Sequence, residues 1–332
     1  MVIMLKTIKI KTAMTLLLTS ALVAGNAFCS SKFDLLKYIS KDSQMVLFAD
    51  VKAFVDNPAV SAAVNDAVVK GGSKELAEAQ KAAAKHDMKL DNIVQEFAAC
   101  GGTSDSIPFF YMMVKFNYPQ KKLIDFLSEE KEFKTRLSIH NYKGKPLYMV
   151  KDVCSIFFVT DKIAMIIPDL YQVHEAYGAS TVGNFFKNKD LVSYYKKVNN
   201  NKAWMVLRPD ANSPAPGGIK KALAAFDIKG NSLALLFKLK MNDTKKANEL
   251  KNSYAMFKMM ATAQLQGLAD PKAGKDFINK LKVNFSKDMI SGAMKFNISE
   301  LKNFAEQVSM MAAQRMVAPQ QKTLPQGNVH KF

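Results

Sequence analysis

The chain has few of the residue types from which metal and redox sites are built. Its 332 residues include three cysteines and four histidines. Neither type is clustered: no C-x-x-C pair occurs, and the histidines are scattered at positions 86, 140, 174 and 330. Zinc sites need such ligands at short helical or loop spacings. The sequence therefore predicts no metal site and no bound cofactor.

Three cysteines are also too few for a fold that disulfides hold together. A Cys100–Cys154 bridge is open to the chain in an oxidising compartment, and two buried apolar thiols are the alternative interpretation. In either case the fold has to be stabilised by hydrophobic burial, for which a chain of this length is sufficient.

Recognisable catalytic motifs are missing as well. Residues 178–183 have the glycine spacing of a phosphate-binding loop, but Asn184 and Phe185 stand where that loop needs Lys and Ser or Thr. Ser128 and Lys131 have the S-x-x-K spacing of acylating enzymes without their partner motifs. We therefore predict a protein that is not an enzyme. A pair of carboxylates that only the fold brings together is the alternative that the sequence leaves open.

Arginine is scarce, and this bears on the expected partner. The basic residues are almost all lysine, because arginine occurs only at positions 136, 208 and 315. Base recognition and bidentate phosphate contacts favour arginine. No helix-turn-helix, zinc-finger or RNA-recognition signature is present. Nucleic acid is therefore not the expected partner.

The apolar run near the N-terminus is too short to cross a bilayer as a helix. Residues 13–24 are largely apolar, whereas a membrane-spanning helix needs about 20 such residues. Three lysines precede this run, and Gly25 and Ala27 follow it at the −3 and −1 positions of a cleavage site. We predict a signal peptide over residues 1–27 and an exported protein, periplasmic or extracellular in a bacterium, with no transmembrane helix after its removal. An uncleaved anchor, a buried helix or a lipid on Cys29 are alternative interpretations.

Positive charge is concentrated in the C-terminal half. The formal net charge is +18; residues 28–180 hold 19 basic and 19 acidic side chains, whereas residues 181–332 hold 25 basic and 10 acidic ones. Such asymmetry favours contact with an anionic envelope polymer, lipid head groups or an acidic protein. A drift toward lysine on solvated surfaces is the alternative interpretation. The candidate contacts are Lys220, Lys221, Lys245, Lys246, Lys251 and Lys258.

Several methionines are clustered between positions 256 and 316 of the C-terminal half. A long helix is predicted from Thr244, with an apolar seam that includes Tyr254 and Phe257. Methionine side chains adapt to irregular apolar partners, so a groove for a lipid or a peptide is a second hypothesis, which makes the protein a carrier or chaperone. Ordinary core filling is the alternative. The candidate groove residues are Met256, Met259, Met260, Met310 and Met311.

Two stretches of the chain have similar sequences, which is typical of an internal repeat. Residues 45–50 read MVLFAD and residues 205–210 read MVLRPD, and each follows a segment that begins Asp-Leu. Turns such as Asp161-Lys162 separate short apolar runs, which predicts hairpins between helices. We predict an α+β fold with two repeated units, each a mostly antiparallel sheet covered by helices on one face. The units are placed at 28–180 and 181–316, with a flexible tail at 317–332.

Residues 90–98 contain a helical pattern. The apolar residues between positions 90 and 98 fall at i, i+3, i+4, i+7 and i+8, which predicts an amphipathic helix. The next apolar run, Phe109–Phe116, is typical of a strand that is buried on both faces.

The segment from Tyr38 to Ser43 (YISKDS), the strand that ends at Asp50 and the helix that begins at Asn57-Pro58 carry a family resemblance. Together they resemble an uncharacterised family of exported bacterial proteins with a duplicated α+β domain. The resemblance covers about 30 residues. It implies an envelope location and no catalytic activity. The function that the sequence predicts is therefore a non-catalytic envelope protein whose basic half contacts an anionic surface or partner.

Overall fold

The structure is a computed structural model that describes residues 35–62, 74–129, 131–168, 171, 173–181, 184–209, 218–264, 270–304 and 307. The predicted signal peptide, Cys29, Met310, Met311 and the predicted tail lie outside the described residues. Among the residues that are described, no helix combines the length and the apolar character needed to cross a bilayer.

Twelve strands in the described residues form one antiparallel sheet. The strands are β1 (Ser43–Ala49), β2 (Val94–Ser104), β3 (Ile107–Phe116), β4 (Leu137–Tyr142), β5 (Lys145–Val150), β6 (Cys154–Thr160), β7 (Ile163–Pro168), β8 (Ala203–Leu207), β9 (Ile219–Lys229), β10 (Ser232–Met241), β11 (Lys282–Ser286) and β12 (Met289–Asn297). Their order across the sheet is β11-β12-β10-β9-β8-β1-β2-β3-β7-β6-β5-β4. The edges are therefore β11, from the basic half, and β4, from the neutral half.

Eight α-helices have their bounds within the described residues, and residues 58–62 and 298–304 are helical as well. The eight are α1 (Val51–Val55), α2 (Lys74–Lys85), α3 (Gln120–Glu129), α4 (Lys131–Arg136), α5 (Val173–Thr181), α6 (Lys189–Tyr195), α7 (Thr244–Gln264) and α8 (Pro271–Lys280). Side-chain caps begin three of them: Asp50 accepts the Ala53 N–H at 2.9 Å, Asn188 accepts the Leu191 N–H at 3.1 Å, and Asp243 accepts the Lys246 N–H at 2.8 Å. Such caps satisfy backbone donors that have no partner within the helix.

The prediction of two repeated units is wrong, although the α+β class is confirmed. The two similar stretches are β1 and β8, and they pair with each other, with Val46 opposite Val206. Each strand thereby satisfies backbone groups of the other, so the two halves share one continuous sheet. The boundaries at residues 180 and 316 stay predictions.

The sheet has helices on both faces, so the prediction of helices on one face is also wrong. We call the face that carries Val46 and Phe48 the front and the opposite face the back. Residues 35–39, α5 and α6 cover the front from β5 to β9. Helices α1 to α4 cover the back of the N-terminal strands. The back of β10, β11 and β12 is packed against α7 through residues such as Ala247 and Leu250.

The predicted amphipathic helix near residue 90 is instead the strand β2. Val94–Ser104 pairs with both β1 and β3. Because β2 is covered on both faces, Ala98 and Cys100 are buried at the front and Ala99 at the back. Apolar side chains at both parities of a strand can reproduce helical spacing, and pairing on both sides then overrides the local pattern.

The two described cysteines are free thiols, and they lie on opposite faces of the sheet. Cys100 belongs to the front core and Cys154 to the back core, which excludes a bridge between them. Burial raises the pKa of the Cys100 thiol to about 12. Beside it, the Tyr111 hydroxyl accepts the Ser40 N–H and donates to the Tyr38 carbonyl, both at 2.9 Å. This pair of bonds fixes the N-terminal segment on the front face.

We expect the free energy of unfolding to fall as the pH rises above 9, in part because of Cys100. The ordinary pKa of 9.0 applies to the unfolded chain, and the pKa of about 12 applies to the folded one. Between these values the unfolded state has lost a proton that the folded state retains, so each pH unit lowers stability by up to about 1.4 kcal/mol. Urea titrations from pH 8 to pH 10.5 measure the slope. The slope should become shallower in Cys100→Ala; an unchanged slope in that variant would contradict the assignment.

Candidate functional site

The front of the sheet is left uncovered beyond β9. Side chains alternate between faces along a strand, and cross-strand partners share a face. Leu223 and Ala225 of β9 belong to the front core, and Leu236 of β10 packs against it. The next strand places Ala293 opposite Leu236, and Ala293 is exposed. The front of β10, β12 and β11 therefore faces solvent.

Lysines lie on or beside this uncovered face, and six of them define what we call the lysine face. The register places Lys238 opposite Leu223 and Ser291, and Lys282 opposite Ala293. Neighbouring strands are about 4.8 Å apart and alternate residues along a strand about 6.8 Å apart, so the ammonium groups form a two-dimensional array. The six residues are Lys197, Lys221, Lys238, Lys240, Lys282 and Lys295.

A shallow groove of about 440 Å³ crosses the lysine face. Its floor includes Leu223 and Leu236, and Lys197, Lys238 and Lys282 line it. No carboxylate of the described residues lines this groove. Within the part of the chain that the structure describes, none of these three lysines forms an ion pair. The groove thus combines an apolar floor with unpaired positive charge.

On the side of the lysine face nearest α6, two lysine ammonium groups contact one aromatic ring. The ammonium of Lys197 lies 5.2 Å from the centre of the Tyr194 ring, and that of Lys221 lies 5.3 Å from it. Such cation–π contacts hold the two charges close together without neutralising them. At the opposite side, Lys240 forms an ion pair with Asp288 at 3.5 Å. The unneutralised charge is therefore greatest from Tyr194 to Lys282.

One glycine allows the groove floor to form. A Cβ on Gly292 of β12 would lie 2.2 Å from the ring of Phe237, so only glycine leaves room for that ring. Phe237 packs with Leu239 and Val283 under α7 on the back of the sheet. The floor of the lysine face is thus supported from behind by this apolar cluster.

The predicted lysine contacts are not brought together in one place. Lys221 belongs to the lysine face, and Lys220 precedes it in β9. The other four lie on α7, which packs on the back of the sheet: Lys245, Lys246, Lys251 and Lys258. Lys246 forms an ion pair with Glu249 at 2.7 Å, and this hydrogen bond raises the pKa of Lys246. A role for these residues in anion contact stays a prediction.

Sequence reasoning missed five residues of the lysine face: Lys197, Lys238, Lys240, Lys282 and Lys295. A usable signal was present in residues 233–241, where Lys238 and Lys240 alternate with apolar residues. Period-two spacing places both lysines on one face. The contributions of β11 and β12 depend on strand order, which has no local signal.

The methionines of α7 form an exposed patch. The exposed fractions are 57% for Met256, 68% for Met259 and 53% for Met260. Phe257 is 61% exposed, so its predicted place in the inward seam is wrong. The seam ends at Tyr254, whose ring lies 5.9 Å from that of Phe285. Because Met310 and Met311 lie outside the described residues, a groove built from all five methionines stays a prediction.

No group of three His, Cys, Asp or Glu side chains in the described residues could hold a metal ion. A second cavity, of about 340 Å³, lies at the start of α3. There the Gln120 side chain donates to the Tyr148 hydroxyl at 2.9 Å, and the Gln120 N–H donates to the Asp161 carbonyl at 2.7 Å. These bonds tie α3 to the sheet, which is a structural role.

Comparison with known proteins gives only weak structural similarities. No protein-family model and no curated protein matches the sequence. The chain is similar to crystal form I of TP0453 at 9% identity and a TM-score of 0.45, over 84% of this chain and 97% of that one. Crystal form III of TP0453 gives 8% identity and a TM-score of 0.46, over 82% and 97%. At these values the similarity carries no argument about function, and the family resemblance of the sequence stays a prediction.

Proposed function

We propose that this chain is a non-catalytic, exported protein of the bacterial envelope that binds a polyanionic surface through its lysine face. The observation that carries the proposal is the groove lined by Lys197, Lys238 and Lys282, with no acidic lining residue. Side chains on a sheet are held by the backbone at regular intervals. A regular array of ammonium groups suits an anionic polymer or a layer of lipid head groups, in which negative charges also repeat.

The charge of the whole half supports the same proposal. Residues 181–332 hold 25 basic and 10 acidic side chains, so long-range attraction brings this half toward an anionic surface first. Attraction between exposed charges is screened within about 8 Å at physiological salt, so the lysine face has to make direct contact. Binding should therefore weaken steeply as salt is raised.

The test compares vesicles that contain phosphatidylglycerol with vesicles of phosphatidylcholine alone, at several salt concentrations. We expect binding to the anionic vesicles only, and competition by inorganic polyphosphate. The triple variant Lys197→Gln, Lys238→Gln, Lys282→Gln should bind about tenfold to a hundredfold more weakly, since each lysine near an anionic surface contributes about 1 kcal/mol.

The matched control removes the same charge from the opposite side of the sheet. The variant Lys245→Gln, Lys251→Gln, Lys258→Gln changes three lysines of α7 and should keep most of the binding. Equal losses in the two triple variants would contradict the assignment to the lysine face. Failure of the unmodified protein to bind either vesicles or polyphosphate would contradict the function itself.

A second candidate function is the binding of lipid acyl chains at the exposed patch of α7. The observation that favours it is the exposure of Phe257 together with its three neighbouring methionines. Single exposed apolar side chains are ordinary, whereas a contiguous group marks a surface that a partner covers. Native mass spectrometry of the gently purified protein should then detect lipid, and Met256→Ser with Met260→Ser should reduce it. A lipid-free protein would exclude this candidate.

A further inference from the structure

The edge strand β4 offers an open row of backbone hydrogen-bonding groups. It joins β5 through a two-residue turn, Lys143-Gly144, in which both residues have positive φ, 51° and 78°. Such a turn closes on the hydrogen-bonded pair Tyr142–Lys145. Hydrogen-bonded and non-bonded pairs alternate along an antiparallel ladder. The N–H and C=O groups of Leu137, Ile139 and Asn141 therefore point away from β5.

The outward groups of β4 have no strand partner among the described residues, because β4 is the last strand of the sheet. The side chains at the same positions are uncharged, and Ile139 is 62% exposed. Natural edge strands are usually protected by lysine, proline or a bulge. β4 contains none of these between Leu137 and Tyr142, and its register with β5 has no shift.

The other edge strand, β11, is protected by charge and by packing. β11 carries Lys282, and Lys287 follows it in the turn to β12. Its residues Val283 and Phe285 are covered at the back by the cluster under α7. The absence of protection is therefore specific to β4, at the edge that belongs to the neutral half of the chain.

We propose that β4 pairs with the β4 strand of a second copy of this chain, antiparallel and centred on Ile139. The two Ile139 residues then lie opposite each other at the twofold axis, and Leu137 of each copy lies opposite Asn141 of the other. Three residue pairs exchange both of their backbone hydrogen bonds, and the two exposed isoleucine side chains cover each other. The result is an isologous dimer with one continuous sheet across both subunits.

Charge favours a second copy as the occupant of this edge. Residues 28–180 hold equal numbers of basic and acidic side chains, so two such halves approach without net repulsion. Pairing through β11 would instead bring together two halves that each carry a large positive charge. The β4 arrangement keeps the two basic halves at opposite ends of the dimer. It does not depend on the proposed anion binding, because the lysine face is at the other edge of the sheet.

The dimer is tested by the molar mass of the purified full chain in sedimentation velocity over a range of concentrations. We expect twice the monomer mass, and Ile139→Lys should raise the dissociation constant at least tenfold because like charges would then meet at the axis. The matched control is Ile107→Lys. It places the same side chain at another exposed isoleucine, 50% exposed at the start of β3, and should leave the dimer intact.

A second variant reports the register directly. Hydrogen-bonded partners across an antiparallel pair have Cα atoms about 5.5 Å apart, within the range for a disulfide. Ile139→Cys should therefore give a covalent dimer on mild oxidation, whereas Ile107→Cys should not, and the two native described cysteines are buried. A monomeric protein at all concentrations would overturn the proposal. A dimer that Ile139→Lys leaves intact while its circular dichroism is unchanged would overturn it equally.

Discussion

Replacing Trp204 by alanine should lower the free energy of unfolding by about 3–5 kcal/mol. Trp204 is 3% exposed and lies at the centre of the front core. Its ring centre is 5.6 Å from that of Phe48, 5.1 Å from that of Tyr195 and 6.3 Å from that of Phe185. Truncation removes three aromatic contacts and leaves a cavity that the surrounding sheet cannot close.

Urea denaturation followed by far-ultraviolet circular dichroism measures this loss, since the variant lacks the only tryptophan of the chain. Phe226→Ala is the control, because Phe226 lies on β9 and is 39% exposed. It should cost clearly less than the Trp204 variant. Equal losses in the two variants would show that the front core does not depend on the aromatic cluster.

Replacing Lys115 by methionine should also cost about 3–5 kcal/mol, because it removes the cation from a buried ion pair. The Lys115 ammonium lies 3.3 Å from the Glu96 carboxylate, and the side-chain exposures are 15% and 5%. Glu96 and Lys115 are cross-strand partners in β2 and β3. Without the lysine, the carboxylate loses the positive charge of Lys115 while it stays inside the sheet.

Two further variants separate the cost of the buried charge from the cost of the lost contact. Lys121→Met breaks the Lys121–Asp125 pair on α3, whose side chains are 89% and 48% exposed, and should leave stability almost unchanged. The double variant Glu96→Leu, Lys115→Met removes both charges and should recover much of the loss. If the double variant is no more stable than Lys115→Met, the buried carboxylate is not the cause.

The sequence predicted individual elements better than their arrangement. The run Phe109–Phe116 was predicted as a buried strand, and β3 confirms it at Ile107–Phe116. The helix predicted from Thr244 is confirmed as well, as α7. Each of these depends on local periodicity, which side-chain burial imposes on neighbouring residues. The helix predicted near residue 90 failed because β2 has strands on both sides, which no local pattern records.

The sequence similarity of β1 and β8 reflects two strands that pair in one sheet, and not two repeated units. Two similar strands predicted two separate sheets, whereas Val46 and Val206 face each other in a single one. The predicted lysine contacts do not lie together on one face for a related reason. Lys245 and Lys246 are neighbours in sequence, whereas the lysine face brings together Lys197, Lys238 and Lys282 from distant segments.

The pairing of β1 with β8 also limits when the sheet can fold during synthesis. Residues 45–49 leave the ribosome early, and their partners at 203–207 emerge much later. Until then the edge of β1 that pairs with β8 stays unpaired, and partly synthesised chains can associate wrongly through it. Contacts of such large sequence separation slow folding, so this protein should fold after synthesis of β8 rather than stepwise, and it should gain from chaperones during that interval.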